Sequence, residues 1–128
     1  MTDAELAALG LPPVAVLRAS LAAIPGVAIF LYDATSTHRF CGGDPKLLAD
    51  LNLPADGVEG LPVGYSLANA STWGAAADAA LRCVRDRAAS VIRVRMLDRH
   101  YVVHVVPMPD GWGVNVIVDV TPRSLQPS

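Results

Sequence analysis

The chain has 128 residues, with 10 basic and 12 acidic side chains and a formal net charge of −2 at pH 7. That length suits a single domain with one core, and a composition 52% hydrophobic and 17% charged excludes a disordered tail. The near-neutral balance gives no general attraction to nucleic acid or to an anionic membrane. Two cysteines cannot build a disulfide framework, which points to a reducing, cytoplasmic setting. No apolar run approaches the roughly 18 residues of a membrane helix; the longest clean one is Val27 to Tyr32. The N-terminus opens with Asp3 and Glu5 and lacks the basic leader of a signal peptide.

In chain order, Thr2-Asp3-Ala4-Glu5 has the spacing of a capping box. Leu6 and Leu9 follow as a short apolar stripe that Gly10 stops. Pro13 suits the first turn of a second helix, whose Val14, Leu17, Leu21 and Ile24 recur at helical spacing until Pro25-Gly26. Val27 to Asp33 is β-rich, Thr35-Ser36-Thr37 reads as a hairpin turn, and Thr37 to Cys41 is the returning strand. Gly42-Gly43-Asp44-Pro45 reads as a turn and helix start, followed by Leu47, Leu48 and Leu51 on a short helix. Residues 52–72, rich in Gly, Pro, Asn and Ser, predict turns and broken helices. Thr72 is placed to cap a long helix to about Ala88, with Trp73, Ala77, Leu81, Val84 and Ala88 as its buried stripe.

Three strands finish the chain. Ser90 to Leu97 alternates Ile92, Val94 and Met96 with Arg93 and Arg95, the pattern of a half-buried strand. Asp98-Arg99 reads as a tight turn before a strand from His100 to Met108, and Pro109-Asp110-Gly111 as a turn before a strand from Trp112 to Val120. The whole predicts an α+β domain with helices packed on a five-stranded antiparallel sheet.

This order resembles a PAS domain over roughly Val14 to Arg123. Residues Leu21 to Asp33 resemble the helix and first strand that open that fold. Gly60-Leu61-Pro62-Val63-Gly64 resembles the step after its short helices. Tyr101 to Met108 resembles its fourth strand with the Val-x-Pro-Met end, and Asp119-Val120-Thr121 the Asp-Val-Thr triplet that closes it. The resemblance implies a PAS core over residues 26–122, an N-terminal helical cap or dimerisation segment over 1–25, and the start of a C-terminal linker over 123–128. It also implies one concave sheet face, closed by the short helices and the long helix, around a volume that holds a ligand or is filled by side chains. Alternation along the strands places Phe30, Ile92, Val94, Met96, Tyr101 and Val103 on that face. The same alternation adds Val105, Val114, Val116 and Val118, with Trp73 and Leu81 closing it from the helix. Tyr101 and Trp73 carry the polar handles a pocket uses.

Specific chemistries are narrowed by what the residues lack. Haem-binding PAS domains use a histidine on the long helix, and residues 73–88 contain none, which disfavours haem held in that way. Neither Arg39-Phe40-Cys41-Gly42-Gly43 nor Leu81-Arg82-Cys83-Val84-Arg85 matches the Gly-x-Asn-Cys-Arg-Phe-Leu-Gln sequence of the flavin-binding light sensors, which disfavours that photochemistry too. Cys83 lies among three arginines, a setting that lowers a thiol pKa, although packing is the simpler role for both cysteines. His38 lies near a hairpin turn and reads as solvated. His100 and His104 on one strand stand roughly 13 Å apart, too far to share one metal ion, and belong with Val102 and Val106 to the outer sheet face. Gly42-Gly43-Asp44 is followed by Pro45, unlike a diguanylate cyclase motif, and reads as a turn. No nucleotide loop, metal set or catalytic triad is recognisable, so the chain reads as a non-enzyme.

Charge is uneven. Residues 1–60 hold three basic and seven acidic groups, and residues 82–99 hold six arginines and two aspartates. The basic segment suits a solvated face or docking of an acidic patch on a partner or second copy, and without a recognition helix it is weak for DNA. The leading expectation is a sensory module that binds a small ligand or partner and signals through Asp119 and Thr121 to a C-terminal output domain. The alternative is a ligand-free module that homodimerises through Val14, Leu17 and Leu21. A small α+β enzyme is the third reading.

Overall fold

The structure, a computed structural model, describes residues 1–51, 53, 57–65 and 70–122. Its elements are α1 (Asp3–Ala8), α2 (Val14–Ala22), β1 (Val27–Tyr32), β2 (His38–Gly43), α3 (Pro45–Asp50), α4 (Ala70–Asp86), β3 (Ser90–Met96), β4 (Arg99–Pro107) and β5 (Gly113–Asp119), with a 3-10 turn at Pro109–Gly111. The strands form one antiparallel sheet in the order β2-β1-β5-β4-β3. This is the expected α+β architecture, and it agrees with a PAS-like fold. The last strand is central: β5 pairs Val118 with Val27 of β1 and with Val102 of β4. No helix among the described residues is long and apolar enough to cross a membrane.

Local chemistry sets the element ends. The capping box forms: Thr2 Oγ1 accepts from Glu5 N–H at 3.1 Å, and Glu5 Oε1 accepts from Thr2 N–H at 2.9 Å. Gly10 follows at φ +79°, a left-handed conformation that glycine adopts without a Cβ clash. Pro13 occupies the N-cap of α2, one place before its expected position in the first turn. The turn before β4 is Leu97-Asp98, one residue earlier than expected, because Met96 pairs with Arg99 and leaves two residues in the loop.

Each sheet face carries its own core. On the outer face of β1, β2 and β5, α1 and α2 bury Leu6, Leu17 and Leu21 against Leu31, Phe40 and Val114. Val14 packs against the same cluster. The three α2 residues expected at a dimer interface are therefore spent on the chain's own sheet, which corrects that assignment. On the inner face, α3 and α4 pack over Ala28, Phe30, Cys41, Tyr101, Val103 and Val105. The buried side of α4 is Ala76, Ala79, Ala80 and Cys83, while Leu81 is 40% exposed and Ala88 lies beyond the helix end. An alanine-rich helix has no bulky residues to mark its buried side in the sequence, so the stripe sits one position round from the expected one.

Gly42 and Gly43 belong to β2 rather than to a turn. Gly43 pairs with Ala28, and a Cβ there would lie 2.5 Å from Val27 O and 2.6 Å from Ala28 Cα. At Gly42 the nearest atoms belong to the side chains of Phe40 and Leu21, at 3.0–3.4 Å. Backbone cannot yield as a side chain can. Gly43→Ala is expected to lower the unfolding free energy by about 1–3 kcal/mol and Gly42→Ala by less, as read by thermal denaturation. Equal midpoints for the two variants would contradict this close approach of β2 to β1.

Candidate functional site: a cavity on the inner sheet face

A cavity of about 370 Å³ lies between the inner sheet face and α4. Its floor is Phe30 of β1, His38 of β2, and Asn115 and Ile117 of β5. Its helix wall is Trp73, Gly74, Ala76 and Ala77, with Asp78 and Leu81 at an exposed rim. The third wall comes from Leu51, Leu53 and the segment Val63-Gly64-Tyr65. The volume exists because α4 presents glycine and alanine where larger side chains would fill it.

The third wall is tied to the start of β2. His38 N–H donates to Leu61 O at 2.8 Å, Gly60 N–H to His38 O at 2.7 Å, and Val63 N–H to Ser36 O at 2.8 Å. A further tie reaches the N-terminal layer: Arg18 of α2 donates to Cys41 O and to Glu59 Oε1, both at 2.9 Å. Burial pushes the Glu59 carboxyl up, but the Arg18 hydrogen bond and charge together with backbone hydrogen bonds outweigh it and hold the group below its usual 4.5.

His38 corrects the expectation of a solvated side chain. It is 9% exposed, with ring centroids of Phe30, Tyr65 and Tyr32 at 5.9, 6.1 and 6.4 Å. Among the described residues its Nδ1 has no hydrogen-bond partner. Burial pulls its pKa below the usual 6.5, and the opposing attraction of Glu59 is too weak to restore it. Trp73 Nε1 and Tyr101 Oη are also buried without a partner among the described residues. Tyr101, with its ring centroid 5.4 Å from that of Trp73, has its hydroxyl pushed up to about 12, chiefly by burial. Tyr32, by contrast, is satisfied: its hydroxyl donates to Asn115 Oδ1 at 2.7 Å, and burial raises its pKa well above the ordinary 10.

Of the sequence candidates, Phe30, Trp73 and Leu81 line the cavity. Ile92, Val94, Met96, Tyr101, Val103 and Val105 share the inner core but stand away from the cavity lining. Val114 and Val116 lie on the opposite face, under the N-terminal helices, and strand alternation puts Val118 with them. β5 is apolar on both faces, so its valine stripe does not identify the cavity side; the polar Asn115 between Val114 and Val116 is the signal available. Sequence reasoning also missed His38, Leu51, Leu53, Val63 and Tyr65, whose approach depends on a non-local wall. His104 is exposed on the outer face, flanked by exposed Val91 and Val106. The cysteines are free and buried. Burial raises the Cys83 thiol despite the neighbouring arginines, which corrects the expected direction, and takes Cys41 up to about 12.

Asp119 and Thr121 join three strand ends. Asp119 N–H donates to Gly26 O at 2.8 Å, and its Oδ1 accepts from Thr121 N–H at 2.9 Å. Its Oδ2 stands 3.5 Å from Arg99 Nη1, and Thr121 Oγ1 accepts from His100 N–H at 2.9 Å. The end of β5 is thus fastened to the entrance of β1 and the start of β4. Residues 123–128, expected to begin a linker, lie outside the described residues.

The domain defined by this geometry is an antiparallel sheet with a helix-covered cavity on its inner face. The structure is similar to the crystal structure of a domain of HTR-like protein from Haloarcula marismortui ATCC 43049, with a TM-score of 0.50 and 18% identity over 74% of this chain and 98% of that one. At that identity the likeness concerns the fold. No family model and no curated protein matches the chain.

A buried imidazole kept neutral binds fewer protons in the folded than in the unfolded state. His38's contribution to stability is therefore complete above pH 6.5 and declines as pH falls below 6.5 toward its lowered folded value. Chemical denaturation at stepped pH is expected to show this decline. His38→Gln should flatten it while leaving the acid loss from carboxylates such as Glu59, below 4.5. An unchanged profile in His38→Gln would contradict the assignment.

Proposed function

We propose that the chain is a sensory, signal-transducing module of PAS type whose inner cavity binds a small molecule and whose β5 terminus passes the change to an output domain or partner. The observation that carries this reading is the cavity itself. Its volume lies within the range of small-molecule sites, about 300–1,000 Å³, and buried polar atoms of His38 and Trp73 are left at its walls without partners among the described residues. A buried polar atom without a partner costs roughly 1–3 kcal/mol, a cost that a bound ligand offsets. The role is regulatory rather than enzymatic, and the free, buried cysteines suit a cytoplasmic setting.

The route outward uses contacts already in place. Asn115 and Ile117 form the cavity floor, and two residues further along the same strand Asp119 holds the β1 entrance and the Thr121 amide. A ligand that prefers one arrangement of β5 shifts that terminus by its differential affinity.

A second reading, a module that pairs with another chain, has one observation in its favour. The outer face of β3 and β4 is left open beside the N-terminal helices, with Val91 58%, Val106 41% and Val120 45% exposed around Arg93 and Arg95. Homodimerisation through this face replaces the α2 interface, and the two readings are compatible on one chain.

Native mass spectrometry reads bound mass and oligomeric state together. The first reading predicts a discrete extra mass on the purified wild-type chain that is lost in Ala77→Leu, where the larger side chain fills the cavity. The same mass on both variants would contradict it, and a dimer of bare chains would favour the second reading. Asp119→Ala is expected to speed hydrogen exchange at the Thr121 amide by roughly tenfold or more without changing ligand affinity. Equal loss of affinity and protection would contradict a signalling role for Asp119.

A further inference from the structure

The charge distribution around the cavity narrows the ligand class. No lysine or arginine occurs from Leu47 to Leu81, the stretch that supplies most of the lining, whereas Asp50, Asp56, Glu59 and Asp78 do. The remaining lining residues, Phe30, His38, Asn115 and Ile117, add no fixed positive charge. A carboxylate or phosphate entering the cavity would lose its hydration without gaining a counter-charge.

A buried cation fares little better. Asp50 and Asp78 are exposed, and Glu59 is engaged with Arg18, so no free carboxylate among the described residues stands inside to compensate it. The lining is apolar or aromatic apart from a few dipoles, and two of these are buried without a partner among the described residues, of which the indole fixes what it needs. Trp73 Nε1–H can only donate, and it has no acceptor among the described residues. His38 Nδ1, more than nine-tenths buried in the floor, is also without a partner there. Aromatic rings of Phe30, Tyr65 and Trp73 line the same space and suit a flat apolar body.

We infer that the cavity takes an uncharged, flat apolar molecule carrying a hydrogen-bond acceptor, of the aryl-ketone or quinone class, with the acceptor placed on Trp73 Nε1–H. The inference rests on the reading of the cavity as a ligand site. The same wall excludes anionic ligands by the absence of a counter-charge rather than by size.

Four probes of one shape separate charge from hydrogen bonding: acetophenone, ethylbenzene, benzoate and phenyltrimethylammonium. Binding to the wild-type chain is followed by titration calorimetry and by the indole N–H resonance that disappears in Trp73→Phe. Acetophenone is expected to bind saturably and to shift that resonance downfield. Ethylbenzene should bind about tenfold more weakly, and the two ions should show no saturable binding over the same range. In Trp73→Phe the preference for acetophenone over ethylbenzene should vanish. Benzoate or phenyltrimethylammonium binding as tightly as acetophenone would overturn the ligand class while leaving the cavity a ligand site. Equal affinity for acetophenone and ethylbenzene in the wild type would overturn the role of the Trp73 donor. Failure of all four to bind would overturn both this inference and the ligand-site reading beneath it.

Discussion

The structure depends on the placement of its last strand in the middle of the sheet. β5 completes the ladders of both β1 and β4, and its two faces serve different layers. Val114 and Val116 join the core under the N-terminal helices, while Asn115 and Ile117 face the cavity. Neighbouring residues on a strand point to opposite faces, so the cavity floor and the outer layer are one peptide apart along β5. The pairing of Val27 with Val118 also joins distant parts of the chain, so the sheet rests on a contact of high sequence separation. Asp119 and Thr121 fasten this strand where it leaves the sheet, so a change on its floor side meets a constraint at its end.

The cavity is a consequence of small residues rather than of a missing element. Gly74, Ala76 and Ala77 keep the helix wall thin, and the Val58–Tyr65 segment closes the side through backbone hydrogen bonds to Ser36 and His38. Because Glu59 in that segment meets Arg18 of α2, the cavity wall and the N-terminal layer are mechanically joined. Hydrophobic cores are ordinarily filled to near crystal density. An unfilled volume with orphaned polar atoms is a local departure from that rule, and such departures concentrate at functional sites.

Legibility in the sequence follows the range of the interactions involved. The capping box at Thr2, the stop at Gly10 and the three closing strands are local, and their residue types suffice to place them within a residue or two. The inner positions of β3 and β4 are legible because Arg93 and Arg95 break the apolar run on one side of β3. Where both faces are apolar, as on β5, or where alanine dominates, as on α4, periodicity loses its phase. The stripe Val14, Leu17 and Leu21 is legible as a buried face, but not the surface that buries it, which is the chain's own sheet. His38 escapes sequence reasoning for a related reason: its neighbours along the chain look like a turn, and its burial comes from Tyr65 and the wall before it. Of the cavity, Phe30, Trp73 and Leu81 are legible, and its floor on β2 and β5 and its third wall are not.

The central claim is that an accessible, apolar space lies on the inner face and not on the outer one. Methyl NMR of the full chain under xenon pressure tests it whatever the natural ligand is, because xenon occupies apolar cavities irrespective of shape or charge. The account predicts saturable shifts at the methyls of Leu51, Ala77 and Ile117, with little change at Val91 and Val106 on the open outer face. Unsaturable shifts of equal size on both faces, or none at Ile117, would contradict it.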